Sequence, residues 1–314
     1  MPVTDPAYTR RYFSDGARRW LATAYVNGAE PASYPLGPHR VRLALTAAVE
    51  HLGAARGRLV DVGCGGGDLC FGAAELGFDA IGVDIAEGMI AEARRRAEAL
   101  APDVRARVDF RVGEALALGD DGEPLDAITA LGLVEYLETD APFFAWAARR
   151  LRRGGVLVVS CRNRLFNIAS LNDYTRRECE RGGAPALLDE LAALGVGRDV
   201  PELLDEFVHR LREALPDLTA ALAQDRAAGA APHDTSASFH GERRQHTPHE
   251  IEAVARAAGL QPAGITGLHP HPWPPAWERV APRFYNRLAA VYEALEVAPA
   301  SLVWSSSFVA AFTR

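Results

Sequence analysis

The chain has 314 residues, of which 48% are hydrophobic and 24% charged, and a formal net charge of −7. This length suits one large domain or two modest ones, the composition rules out wholesale disorder, and the acidic balance argues against a surface that tracks nucleic-acid phosphates. No run approaches the roughly 18–20 uninterrupted apolar residues that cross a bilayer, and Met1-Pro2-Val3-Thr4-Asp5-Pro6 has no signal-peptide pattern, so the expected location is the cytoplasm.

Residues 1–40 carry Tyr8, Tyr12, Phe13, Trp20, Tyr25 and Tyr34 among Pro31, Pro35 and Pro38. They read as a helix followed by an irregular arm. From about Val41 the pattern becomes regular. Arg58–Val62 is a short apolar run that ends in a glycine loop, Gly63-Cys64-Gly65-Gly66-Gly67, with a helix from about Asp68 to Leu76. A second buried strand follows at Ala80–Val83, then an Ala/Glu/Arg-rich helix over Glu87–Leu100. Val108–Val112, Leu125–Ala130 and Gly155–Ser160 supply three more strands, with a helix of about Ala141–Arg152 before the last. Strands alternating with helices at this rhythm imply right-handed βαβ units and a parallel sheet.

After Ser160 the rhythm breaks. Residues 165–240 offer helical stretches (Pro185–Leu194, Pro201–Leu215) and a polar loop, and the α/β pattern resumes at Thr247-Pro248-His249-Glu250, a capping-box signature. Strands over Ala263–Leu268 and Ser305–Thr313, separated by a helix of about Trp277–Leu295, complete the chain. The expected fold is α/β: a Rossmann-like, seven-stranded, mostly parallel sheet with helices on both faces and a helical insertion after the fifth strand. Residues 1–40 form an arm or lid, 41–164 and 241–314 the sheet domain, and 165–240 the insertion over the substrate.

All 34 basic residues are arginine, which removes Schiff-base chemistry, lysine bases and the P-loop lysine. Cys64, Cys70, Cys161 and Cys179 have no metal-ligand spacing and read as free thiols.

The glycine loop points to a nucleotide-like cofactor at the carboxyl edge of the sheet, and charge decides which one. A dinucleotide site needs G-x-G-x-x-G, but counting from Gly63 the third position is Asp68, and from Gly65 it is Cys70. Asp61 before the loop and Asp68 after it would repel a pyrophosphate. S-adenosylmethionine (SAM) has no phosphate and carries a sulfonium and an ammonium, so the same acids favour it. In the order Asp61-x-Gly63-x-Gly65-x-Gly67, the loop cradles SAM. Asp84, ending the second strand, accepts both ribose hydroxyls. Ile85 and Met89 are expected to pack on the adenine, Glu114 with Ala115 to accept from its amino group or to flank it, and the Leu131 carbonyl to receive the ammonium.

Across about 55–160 and 245–314 the chain resembles a class I SAM-dependent methyltransferase, and within that superfamily it is most similar to the ubiquinone-biosynthesis O-methyltransferases. The matching segments are Leu59 to Gly67, Ser160-Cys161-Arg162-Asn163-Arg164, and Ile265-Thr266-Gly267-Leu268-His269. One segment departs. Where that family carries two acids and a histidine suited to a divalent cation, this chain reads Gly132-Leu133-Val134-Glu135-Tyr136, which leaves a hard cation too few oxygens. No metal is expected.

The sulfonium is already an activated methyl donor, so catalysis rests largely on positioning, and a base helps when the acceptor must lose a proton. Glu135, His240, His246 and His269 are the candidate bases. Tyr34, Tyr136, Arg162, Asn163, Arg164 and Arg243 are the candidate substrate contacts, the arginines suiting a carboxylate. The expected activity is methyl transfer to a small molecule, at oxygen, in specialised metabolism, with no nucleic-acid partner and room for a homodimer on the insertion helices. Two alternatives stay open: N- or C-methylation of an amino or keto acid, and a non-catalytic SAM-binding subunit or sensor.

Overall fold

Hydrophobic alternation along each strand places one set of side chains on each face of a single sheet. The computed structural model describes residues 5–24, 33–114, 116, 122–195, 197, 200–229 and 243–314. Its strands are β1 (Gly57–Val62), β2 (Phe78–Asp84), β3 (Val108–Val112), β4 (Leu125–Leu131), β5 (Leu151–Arg162), β6 (Gln261–Pro270) and β7 (Ser305–Thr313). They lie in the order β3-β2-β1-β4-β5-β7-β6, and β7 alone runs antiparallel to its neighbours.

Leu59, Ala80, Phe110, Ala127, Val156 and Val158 point to one face. There they meet α2 (Leu36–Leu52), α3 (Asp68–Leu76) and α4 (Glu87–Ala97) through Ala44, Leu45, Cys70, Phe71, Ile90 and Ala93. Val60, Val62, Ile128, Leu157 and Phe312 point to the other, against Phe143, Phe144 and Trp146 of α6 (Ala141–Arg150) and Ile251 and Ala255 of α11 (Pro248–Ala257). A short helix, α5 (Pro102–Arg105), leads into β3. The capping box at the head of α11 forms as expected: the Glu250 amide donates to Thr247 Oγ1 at 3.2 Å, and the Thr247 amide to Glu250 Oε2 at 2.8 Å.

The boundaries differ in two places. The described residues of the arm include α1 (Pro6–Ala24), and α2 already begins at Leu36, so residues 36–40 belong to the helix that packs on the sheet. Among the described residues of the insertion are α7 (Asn167–Ser170), α8 (Asp173–Glu180), α9 (Ala184–Ala193) and α10 (Val200–Ala228), and α10 does not stop near Leu215 but continues through Pro216. Proline removes one backbone hydrogen bond, but the apolar stripe continues past it. Leu211 and Leu218 pack on Leu288 and Val291 of α12 (Pro282–Tyr292). Asp225 on α10 also accepts the Phe284 amide at 2.9 Å in the first turn of α12.

Candidate functional site

The carboxyl ends of β1 and β2 create a buried acidic cup. Asp61 is 3% exposed and receives the Thr129 hydroxyl at 2.7 Å, because the β1–β4 register sets the two residues opposite each other. The loop after β1 turns back through Gly63 and Cys64, whose amides both donate to the Val83 carbonyl. Gly67 closes it at φ 87°, where a Cβ would run into Phe110 and Phe71. Asp84 takes the Gly65 amide on Oδ2 at 2.9 Å and the Ala86 amide on Oδ1 at 2.8 Å, which leaves lone pairs on both oxygens for a ligand. Burial pushes Asp61 up to about 7: the Thr129 hydrogen bond opposes this, Asp84 and Asp68 add to it, and Arg40 opposes it. Burial also raises Asp84, against the two backbone amides. Asp68 is spent on Arg96 in a two-point pair at 2.7 Å. Among the described residues neither Asp61 nor Asp84 forms an ion pair, so the cup fits a cationic, phosphate-free adenosine compound and repels a pyrophosphate.

Helix α1 roofs this cup. Ala17, with Phe13, Trp20 and Leu21, packs on Ala86 and Met89. The approach is close: a Cβ on Gly88 would overlap the Ser14 carbonyl, and one on Gly66 would meet Leu21. Arg10 of α1 stands 4.0 Å from Glu114, beyond the end of β3.

A second cluster gathers beyond the ends of β4 and β5. Glu135 and Tyr136 sit on the 3-10 turn Val134–Tyr136, Arg162 ends β5, Tyr174 projects from α8, and Arg243 lies on the segment returning from the insertion. That segment runs beside β5, with the His246 amide donating to the Arg162 carbonyl at 3.0 Å and the Arg244 amide to the Glu135 carbonyl at 3.0 Å. Glu135 Oε2 is buried without a hydrogen-bond partner and stands 3.8 Å from Arg162 Nε, which is buried and lacks one as well. Arg162 lies 5.9 Å over the Tyr174 ring, and Phe13 of α1 meets Tyr136 edge-on at 5.5 Å. Burial, with the Glu135 charge beside it, pushes the Tyr136 phenol up to about 12, against the hydrogen-bonded Arg243. One carboxylate faced by two guanidiniums is a poor donor set for a hard dication.

The methyltransferase-domain family matches residues 59–155. A ubiquinone biosynthesis O-methyltransferase of Azorhizobium caulinodans is 33% identical over 190 residues, covering 57% of this chain and 72% of that protein. The chain belongs to the class I SAM-dependent methyltransferases. A second relative with the same description, from Sinorhizobium medicae, is 37% identical over 36% of this chain, and the match spans less than half of that protein, 44%. The fold agrees with magnesium protoporphyrin IX methyltransferase from Synechocystis with bound S-adenosylhomocysteine, at TM-score 0.53 and 17% identity, covering 99% of this chain and 100% of that one. The methyltransferase uses SAM as its cofactor, and no helix among its described residues is long and apolar enough to cross a membrane.

Several expected site residues serve the methyltransferase differently. Asn163 is fully buried; its amide donates to the Leu302 and Ser305 carbonyls and its oxygen accepts the Leu165 amide, so it ties the end of β5 to the start of β7 instead of touching substrate. Arg164 is locked onto Glu178 at 3.0 and 2.8 Å and Glu250 at 2.9 Å, which withdraws it from the acceptor. Met89 is buried beneath α1 as core, so it is no open platform for adenine, whereas Ile85 keeps partial exposure. Glu114 is 62% exposed at the rim. Tyr34 is engaged by protein partners: its hydroxyl donates to Glu293 at 2.8 Å, and its ring stacks on His269 at 4.6 Å. Ala115 and His240 lie outside the described residues.

The two described histidine candidates also part ways. His246 Nε2 stands 2.9 Å from Asp140, which also takes Arg244 in a two-point pair at 2.7 and 2.5 Å, so this ring nitrogen is committed to Asp140. His269 is half-buried next to Ser306, with Nδ1 3.1 Å from its hydroxyl. Burial, then His271, Arg162, His39 and Arg40, hold His269 well below the ordinary histidine range, so it is neutral. Residues that the sequence did not single out are Phe13 as a wall, Tyr174, Arg40 and Thr129. Thr129 carried a signal, since a hydroxyl in an otherwise apolar buried strand requires a partner.

Among the described residues, His39, Glu293 and Glu296 have donor atoms close enough for a metal ion. Both ring nitrogens of His39 are already engaged, Nδ1 2.9 Å from Glu293 and Nε2 2.7 Å from Glu296, which makes the group an ion-paired latch between α2 and the C-terminal segment.

Proposed function

We propose that the enzyme moves the methyl group of SAM to a hydroxyl oxygen of a small biosynthetic molecule held against Glu135, Tyr136, Arg162, Tyr174 and Arg243. SAM supplies the activated methyl. Asp84 orients the ribose, Asp61 attracts the cationic end, and α1 with the 165–240 insertion keeps water out. Glu135 removes the proton of the acceptor hydroxyl. The observation that carries this reading is the buried, unpartnered Oε2 of Glu135, an acceptor atom at the carboxyl edge of β4 with only a 3.8 Å approach from Arg162. Choice of oxygen over nitrogen is supported by the O-methyltransferase description of the relatives.

The test is a radiolabelled-SAM assay on paired hydroxyl and amine acceptors. Glu135→Gln should lower kcat by on the order of a hundredfold or more while leaving SAM affinity unchanged. Amine acceptors turning over faster than their hydroxyl counterparts, or full activity in Glu135→Gln, would defeat the reading.

A further inference from the structure

Four buried polar atoms without a hydrogen-bond partner gather at the carboxyl edge of the sheet: Glu135 Oε2, Arg162 Nε, Arg40 Nε and His269 Nε2. Glu135 ties the first three together. Arg162 Nε lies 3.8 Å from its Oε2, and a Cβ on Gly132 would stand 2.7 Å from an Arg40 guanidinium nitrogen and 3.6 Å from Glu135 Oε1. The fourth belongs to the same neighbourhood, because the charges of Arg162 and Arg40 both act on the His269 ring. The pairing of β5, β7 and β6 also sets Arg162, Ser307 and Leu268 in one row, a single residue short of His269.

His269 is held there against its backbone preference. Its φ of 59° lies in the left-handed region, which a residue with a Cβ rarely adopts and which marks ligand sites more often than plain turns. The ring is fixed by its neighbours: Tyr34 stacks on it at 4.6 Å and 18°, His271 lies 4.3 Å away, and Ser306 Oγ is 3.1 Å from Nδ1. The same hydroxyl stands 3.4 Å from the His269 carbonyl, too long for a good O–H···O bond, so its proton goes to Nδ1. A neutral ring whose Nδ1 accepts carries its proton on Nε2. The charges facing the ring come from His271 on its own strand, Arg162 on β5, and His39 and Arg40 on α2, and all of them oppose a second proton. What remains is a buried N–H donor with nothing to donate to, a state that a ligand oxygen completes.

We propose that His269 Nε2–H donates a hydrogen bond to a second oxygen of the acceptor, so that the acceptor is a hydroxyl compound that also carries a carbonyl or ether oxygen. Glu135 Oε2 can only accept and therefore reads the hydroxyl, which has a proton to give. His269 Nε2 can only donate and therefore reads an oxygen without one. The two groups tell the oxygens of one molecule apart, and this choice decides which oxygen turns to the methyl group. His269 is thus a contact that orients the acceptor. It is not a second base, since a ring held neutral by four positive or ionisable neighbours takes up a proton poorly.

This inference rests on the Glu135 cluster being the acceptor site, and the experiment separates the two claims. The protein is saturated with S-adenosylhomocysteine, and calorimetry compares two neutral pairs that differ in one carbonyl oxygen, 2-hydroxyacetophenone with 2-ethylphenol and 4-hydroxyacetophenone with 4-ethylphenol. At least one ketone should bind on the order of tenfold tighter than its ethyl partner. In His269→Phe that preference should vanish while S-adenosylhomocysteine affinity, which reports an intact fold, is unchanged. His269→Gln should restore part of it, since the glutamine amide brings back an N–H donor. Nitrogen-15 spectra of the unsubstituted protein, with the His269 signals assigned by their loss in His269→Gln, should show a neutral ring protonated on Nε2 at pH 7. Equal binding of ketone and ethyl compound, a preference that survives His269→Phe, no ketone binding at millimolar concentration, or a ring protonated on Nδ1 would overturn the proposal. Loss of catalysis in Glu135→Gln with the ketone preference intact would support both claims. Full activity in that variant with the preference intact would remove the base and leave the His269 contact standing.

Discussion

Asp61 and Thr129 face each other across the β1–β4 pair, the threonine hydroxyl donating to Asp61 Oδ1 at 2.7 Å. That single hydrogen bond works against burial, which pushes Asp61 up to about 7. A cation in the cup prefers the ionised carboxylate, so SAM affinity should rise as the pH climbs through about 7 and level off above it. Binding at pH 6 should release protons, seen as a dependence of the calorimetric heat on the ionisation enthalpy of the buffer. Thr129→Val removes the group that favours the charged form and should move the midpoint upward. The sign for folding is opposite. A carboxyl whose native pKa lies above its unfolded value of about 3.9 gives stability that is present at low pH and lost as pH rises toward the native value. Flat affinity from pH 6 to pH 8 would sink this account of Asp61.

Asp84 holds two backbone amides, from Gly65 and Ala86, and keeps lone pairs for a ligand, proposed to be the ribose of SAM. Asp84→Ala therefore removes the ligand contact and loosens the loop. SAM affinity should fall at least about tenfold, equivalent to about 1.4 kcal/mol. Glu114→Gln is the control: that side chain is 62% exposed, and its change should matter far less. Comparable losses in the two variants, read by calorimetry, would contradict the assignment of the ribose to Asp84.

The sheet was readable from the chain because each strand repeats a local pattern, and the glycine loop because its spacing and flanking acids constrain a short segment. The acceptor end was only half readable. Glu135, Tyr136, Arg162 and Arg243 are named by their positions after strands, but that Arg164 and Arg244 are tied down by protein carboxylates depends on Glu178, Glu250 and Asp140, which arrive from other elements. Asn163 shows the same limit. Nothing local tells a buried strand-end asparagine that serves Leu302 and Ser305 from one that serves a substrate. The capping box at Thr247 was visible and the one at Asn172 was not, since the latter uses threonine in place of glutamate at the third position.

Gly88 tests the roof. Its hydrogen lies against the Ser14 carbonyl, so a larger side chain must push α1 away from α4. Gly88→Val should cost about 1–3 kcal/mol of packing, taken mainly by α1. SAM affinity should then drop on the order of tenfold, and protease should cut α1 sooner, with the far-ultraviolet circular dichroism of the sheet domain retained. Unchanged affinity together with faster cleavage would show that α1 does not contribute to holding the cofactor.

His39 joins α2 to the C-terminal segment through Glu293 at 2.9 Å and Glu296 at 2.7 Å while only 1% exposed. Burial alone would lower its pKa, but the hydrogen bonds and charges of the two glutamates more than reverse this, and the imidazole ends above its ordinary value. Glu293 moves the other way: burial would raise it, and His39 first among its partners holds it below. A raised histidine gives stability that is complete below the unfolded value of about 6.5 and lost as pH rises through the native one; a lowered glutamate gives stability present above about 4.3 and lost on acidification. The latch is therefore strongest between about pH 4.5 and 6.5. His39→Gln takes the imidazolium away from two half-buried carboxylates, of which Glu293 keeps Arg42 at 3.1 Å, and should cost about 1–3 kcal/mol in that window. The difference from the unsubstituted protein should shrink as the pH rises through the raised His39 pKa and the imidazole loses its proton, which urea unfolding across a series from pH 6 upward measures. A cost that grows with pH would mean that His39 is neutral in the native protein and acts as a plain hydrogen-bond donor.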